Sequence, residues 1–143
     1  MLLAVVLASA LFLCASARPG CFTPLTFLTG IRNVEYLINN LQGDSQCNCS
    51  TNETDCLCLP ISSDNCTTAC FQEGLSQMSN SALTKRFHLN VNQLKKIVVT
   101  LKSNKCGSFA CEQPCNRTTR GNTVTFLKTL LQSLQSERMR DRV

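Results

Sequence analysis

The stretch LTKRFHLNVNQLKKIVVTL, residues 83–101, decides the fold. Within it Leu83, Phe87, Val91, Leu94, Val98 and Leu101 recur at intervals of three or four. That spacing holds one apolar stripe along one side of an α-helix, whereas a half-buried strand needs alternation at period two. Such a stripe has to be buried against other elements. The rest of the chain supplies them. Upstream, Phe27, Ile31, Val34, Ile38 and Leu41 form a matching stripe. Pro24 suits the first turn of that helix, where its missing N–H has no intrahelical partner, and Gly43 suits its end. A short second helix is expected from near Thr67, with Phe71, Leu75 and Met78 inward. Asn65 or Thr67 would cap it, and Gly74 would weaken it. A fourth helix is expected after Thr118 and Thr119, with Val124, Leu127, Leu131 and Leu134 on one face.

No segment alternates at period two, and no Asn-Gly turn separates apolar runs. The fold class is therefore all-α, a four-helix bundle. Its topology follows from the connections. About two dozen residues separate the first two helices and more than a dozen separate the last two, while the middle link is short. Parallel neighbours cannot be joined by a tight turn, so two long crossovers imply an up-up-down-down bundle. Long irregular loops need an anchor in a small domain, and cysteines supply it.

Eleven cysteines are present, and ten of them follow residue 17: Cys21, Cys47, Cys49, Cys56, Cys58, Cys66, Cys70, Cys106, Cys111 and Cys115. Residues 1–17 read as a cleavable signal peptide. Leu2 to Leu13 is apolar apart from Ser9, too short to span a bilayer, and Ala15-Ser16-Ala17 offers the small residues that signal peptidase requires. The cut is placed between Ala17 and Arg18, because a cut one residue later would put Pro19 directly after it and be blocked. A buried N-terminal helix is the competing reading. Residues 18–143 then form one secreted, extracellular domain, with no further apolar run for membrane insertion. In an oxidising compartment the ten cysteines pair as disulfides rather than hold a metal. Bonds within Cys47/Cys49 or Cys56/Cys58 would be strained, so the 47–70 segment is expected to be tied to itself and to the 106–115 loop. Asn48, Asn52, Asn65 and Asn116 all stand in N-x-[ST] sequons and are candidate glycosylation sites.

Catalytic chemistry finds no constellation to work with. His88 is the one histidine, so a ribonuclease-type acid and base pair is excluded, and there is no Gly-x-Ser-x-Gly elbow. No catalytic residue, cofactor, metal or nucleic-acid partner is expected. The charge instead suits a binding protein. From Ser81 to Lys105 there is no Asp or Glu, against Lys85, Arg86, Lys95, Lys96, Lys102 and Lys105. A solvated face is the plain reading of such a run; a single-sign surface also steers acidic partners. Tyr36, the sole tyrosine, falls nearly opposite the first stripe, and Arg32, Asn33 and Asn40 share its outward face. On the fourth helix Lys128, Gln132, Gln135 and Met139 form a row beside the core stripe.

The runs CLCLPISSDNCTTACFQEGLSQM (56–78), CEQPCNRTT (111–119) and TFLKTLLQSLQSERMR (125–140), with EYLINN (35–40), make the chain resemble the short-chain four-helix cytokines of the common gamma chain family. The resemblance covers nearly the whole chain. It implies a monomeric growth factor that bridges a private alpha receptor and the common gamma chain, triggering Janus kinase and STAT signalling and growth of immune cells. It also implies which faces matter. Lys128, Gln132, Gln135 and Met139 would meet the common gamma chain, and Lys85, Asn92 and Lys96, with part of the first helix, would meet the private receptor. Two sequons depart from the family's pattern: Asn80-Ser-Ala lacks the one expected there, and Asn48-Cys-Ser is an addition. The competing reading is a secreted, disulfide-rich module that binds heparan sulfate or acts on microbes, which would be insensitive to changes in the fourth-helix row.

Overall fold

A computed structural model of the chain describes residues 24–41, 49, 56–62, 66–115 and 119–141. Its four helices are α1 (Pro24–Asn40), α2 (Thr68–Asn80), α3 (His88–Ser103) and α4 (Thr123–Asp141). A 3-10 segment, Ala82–Phe87, leads into α3, and a second, Gly107–Ala110, follows it. The signal segment, Cys21, Cys47, Gly43 and the four sequon asparagines lie outside the described residues.

Contacts between named residues fix the direction of each helix. Along α1, a Cβ on Gly30 would stand 3.6 Å from Ile97, Asn33 bonds Gln93, and Tyr36 meets Phe87. The partner number falls as α1 advances, so α1 and α3 are antiparallel. In the same way Thr68 meets Ser108 while Ser79 meets Asn92, making α2 antiparallel to α3. Glu137, late in α4, reaches the same Ser108. Thus α1 and α2 begin at the end where α3 and α4 finish. The bundle is up-up-down-down.

The predicted stripes are the core. Phe27, Ile31, Val34, Ile38, Leu41, Phe71, Leu75, Met78, Phe87, Val91, Leu94, Val98 and Leu101 are all buried; the Leu83 side chain lies outside the described set. Complete burial of one such side chain contributes roughly 1.5–3 kcal/mol. The fourth stripe differs from expectation. Phe126 and Leu130 are fully buried beside Val124, Leu127 and Leu134, while Leu131 is only partly covered. Facing both α1 and α2, α4 buries a wider face than a single stripe. Phe126 fills the space against α2, where a Cβ on Gly74 would collide with its ring. Gly74 is therefore a point of close helix approach as well as a weak helix former.

The start of α4 also moves. Thr119–Gly121 forms a strand, β2, paired antiparallel with β1 (Leu59–Ile61), so α4 begins only at Thr123. The Asn122 side chain then accepts a 2.9 Å hydrogen bond from the Thr125 N–H. Thr67 occupies the cap position of α2 without a side-chain capping bond. Strands of three residues are too short to display an alternation, which is why the ribbon joining the crossovers leaves no periodic signal.

Disulfides hold both crossovers. Cys49–Cys58 closes the first upon itself, and Cys66–Cys111 and Cys70–Cys115 clamp the start of α2 to the second, with Cα separations of 5.7, 5.5 and 4.8 Å. Cys56 and Cys106 are disulfide-bonded as well. α3 ends in a Schellman arrangement: the Cys106 N–H bonds Leu101 O at 3.0 Å and the Lys105 N–H bonds Lys102 O at 3.1 Å. That places Lys105 in the left-handed region, at φ 54°. Beyond it Gly107, at φ 50°, lets the buried Glu137 carboxylate approach the backbone. Glu137 Oε1 accepts from the Ser108 N–H at 3.0 Å and from Ser108 Oγ at 3.1 Å.

Candidate functional site

Nothing in the described structure is arranged for bond-making chemistry. His88 is exposed and pairs through Nε2 with Asn92 Nδ2 at 2.9 Å. The sulfurs of Cys49, Cys56 and Cys58 lie within 4.8 Å of one another, but all three residues are disulfide-bonded, so no thiolate there is free to ligate. The surface offers shape and charge instead. Its features gather on the two flanks of α1.

The flank toward α3 is held by polar side chains. Asn33 Nδ2 donates to Gln93 Oε1 at 2.8 Å, and Asn90 Nδ2 donates to Asn33 Oδ1 at 2.9 Å. Tyr36 is 49% exposed, and its ring meets that of Phe87 edge-on at 6.2 Å. Arg86 lies over the Phe87 ring, 4.7 Å from its centre, and donates to Asn40 O at 3.5 Å. Asn40 Nδ2 in turn donates to Tyr36 O at 2.8 Å. The result is a preorganised patch with an aromatic centre around a shallow hollow of about 450 Å³, lined by Thr29, Arg32, Asn33, Tyr36, Asn90 and Gln93.

Lys85, in the 3-10 segment before α3, and Lys96, on α3, project to solvent. Asn92 does not join them. It accepts a hydrogen bond from Ser79 Oγ of α2 at 3.3 Å, on the opposite flank of α3.

The flank toward α4 is a groove of about 420 Å³ whose lining includes Leu28, Ile31, Glu35, Arg138 and Met139. Of the fourth-helix row, Gln135 and Met139 reach this groove, and Met139 is 70% exposed. Gln132 lines a different hollow, with Cys66, Ser108 and Glu137, and Lys128 lines neither. Arg32 borders both α1 flanks.

Several of these groups carried no signal in the sequence. Asn90 and Gln93 are ordinary surface amides until the fold sets them against Asn33. Leu89 could have been found, since it is a leucine off the helical stripe; it is 82% exposed.

Comparison with known proteins decides the family. A family model described as Interleukin-9 matches residues 1–130. The chain belongs to the interleukin-9 family. It is 55% identical to interleukin-9 of Homo sapiens over 142 residues, covering 98% of this chain and 96% of that protein. To interleukin-9 of Mus musculus it is 44% identical over 141 residues, covering 97% and 95%. Members of the interleukin-9 family are cytokines, so this chain acts by binding receptors and is not an enzyme. Among the described residues no helix is long and apolar enough to cross a membrane.

Proposed function

We propose that this interleukin-9 family member is a secreted, glycosylated growth factor that joins the interleukin-9 receptor alpha chain to the common gamma chain. Bringing the two chains together places their Janus kinases side by side, and STAT proteins and immune-cell growth follow. The observation that carries this reading is the pair of distinct surfaces on either side of α1, bordered in common by Arg32. One molecule with two faces can hold two chains at once.

The α1/α3 patch, with Arg32, Asn33, Tyr36, Asn40, Lys85 and Lys96, is assigned to the alpha receptor. Its exposed tyrosine is a suitable anchor, because aromatics bury large area at low entropic cost. The unbalanced cations of α3 raise the rate of encounter with an acidic partner. Asn92 is a peripheral contributor at most. The α1/α4 groove, with Gln135 and Met139 at its wall and Lys128 and Gln132 farther along the helix, is assigned to the common gamma chain. Removal of residues 1–17 as a signal peptide and occupancy of the sequons at Asn48, Asn52, Asn65 and Asn116 belong to the same proposal. Proliferation of cells carrying the alpha receptor, with and without the common gamma chain, tests it. Growth is expected only when both chains are present, and growth without the common gamma chain would refute the bridge.

A further inference from the structure

The net charge of the chain is concentrated in one segment, residues 81–105. The whole sequence carries 14 Lys and Arg against 9 Asp and Glu, a net +5. Lys85, Arg86, Lys95, Lys96, Lys102 and Lys105 contribute +6 with no acid between Ser81 and Lys105, leaving −1 for everything else (5 − 6). A solvated helix surface ordinarily mixes signs and gains from i,i+4 pairs, and α3 does neither. α3 holds no Asp or Glu to pair with its lysines.

These cations point two ways. His88, Lys95 and Lys102 recur every seven residues and so share one flank of α3. The Ser79–Asn92–His88 hydrogen bonds show that this flank lies beside α2, away from the α1/α3 patch. The α2 residues nearest this flank, Gln72, Ser76 and Ser79, are neutral. Lys96 stands between the two flanks, and Lys105 extends the line past the helix end. From Lys95 to Lys105 the track runs roughly 15 Å at the helical rise.

We infer that the α2-side flank of α3, through Lys95, Lys102 and Lys105, binds a linear sulfated polysaccharide of the glycosaminoglycan class. Two features select such a chain over a folded acidic protein. The only large exposed apolar side chain on this flank is Val99, and His88, Lys95 and Lys102 repeat along it at seven-residue intervals. Tight protein partners need a desolvated apolar centre, which this flank does not offer; a flexible polyanion needs only spaced ammonium groups. Because the track lies off the α1 flanks, the growth factor can be held on an extracellular polysaccharide while both receptor faces stay free.

The test is retention on immobilised heparin, with elution measured against salt. Lys95→Ala/Lys102→Ala should elute at markedly lower salt than the parent, and its slope of log affinity against log salt should fall by about one per lysine removed. Arg117→Ala/Arg120→Ala removes the same charge elsewhere and should elute as the parent does. Lys95→Arg/Lys102→Arg should retain binding, and heparin stripped of its sulfates should compete poorly. Circular dichroism confirms the bundle in each variant. Equal losses in the two alanine pairs would mean that net charge alone is sensed, and failure of the parent to bind at physiological salt would overturn the inference outright. Alpha-receptor binding by the parent, captured on heparin, should survive; mutual exclusion would show that the track and the receptor patch are one site.

Discussion

Gly74→Ala is the substitution on which two ordinary effects disagree. In a helix interior, glycine is less favourable than alanine by about 0.5–1 kcal/mol, so the change should stabilise α2. The structure opposes this. The added Cβ would overlap Cε2 and Cζ of Phe126 and stand 3.1 Å from its Cδ2. Phe126 is completely buried and is itself hemmed in by Phe71, whose ring centre lies 6.0 Å away at a steep interplanar angle of 76°. It cannot swing aside without disturbing the Phe71–Phe109 contact at 6.1 Å. Overpacking of this kind costs about 1–3 kcal/mol. The clash wins, with a net loss of roughly 0.5–2 kcal/mol and a fall in Tm of a few degrees. Phe126→Leu should open room, so the double variant should be more stable than the two single losses add up to. Thermal unfolding followed by circular dichroism measures all four proteins. A higher Tm for Gly74→Ala, or strict additivity across the cycle, would refute the close approach of α2 and α4.

Three further outcomes follow from the same packing. Glu137→Ala removes the acceptor of both Ser108 bonds and leaves a part-buried N–H without its partner, so urea denaturation should show a loss of roughly 1–3 kcal/mol with helicity retained. Lys105→Gly relieves a left-handed side chain at the end of α3 and should raise stability by about 1 kcal/mol in the same assay. Full reduction of the disulfides should lower Tm sharply, because each bond that spans the crossovers contributes about 2–4 kcal/mol; an unchanged melting curve under reductant would contradict that role.

How much was legible in advance depended on the range of each interaction. The helical stripes were readable because burial acts on every third or fourth residue, and Phe87, Val91, Leu94, Val98 and Leu101 all went inward. The topology was readable because two long links leave few alternatives. Phe126 was missed because α4 faces two helices, and a stripe drawn for one partner omits the residue that meets the other. The β ribbon was invisible because its partners are sixty residues apart and three residues long. The candidate faces divide in the same way. Tyr36, Gln135 and Met139 could be placed by helical phase alone. Asn92 could not, since only the packing of α2 beside α3 shows that it bonds Ser79 rather than borders the Tyr36 patch.

The central claim is that one molecule carries two separate receptor faces. Its most direct measurement uses Lys128→Glu/Gln135→Asp, which alters the exposed α4 row and leaves the buried residues untouched. After circular dichroism confirms a native bundle, alpha-receptor affinity and growth of cells bearing both chains are measured on the same preparation. An unpaired charge at a tightly packed contact typically costs 2 kcal/mol or more, roughly thirtyfold or greater in affinity for the common gamma chain. Unchanged binding to the alpha receptor, weak growth, and competition with the parent protein are expected. Full growth with this variant would contradict the claim of two faces, as would loss of alpha-receptor binding by a correctly folded protein.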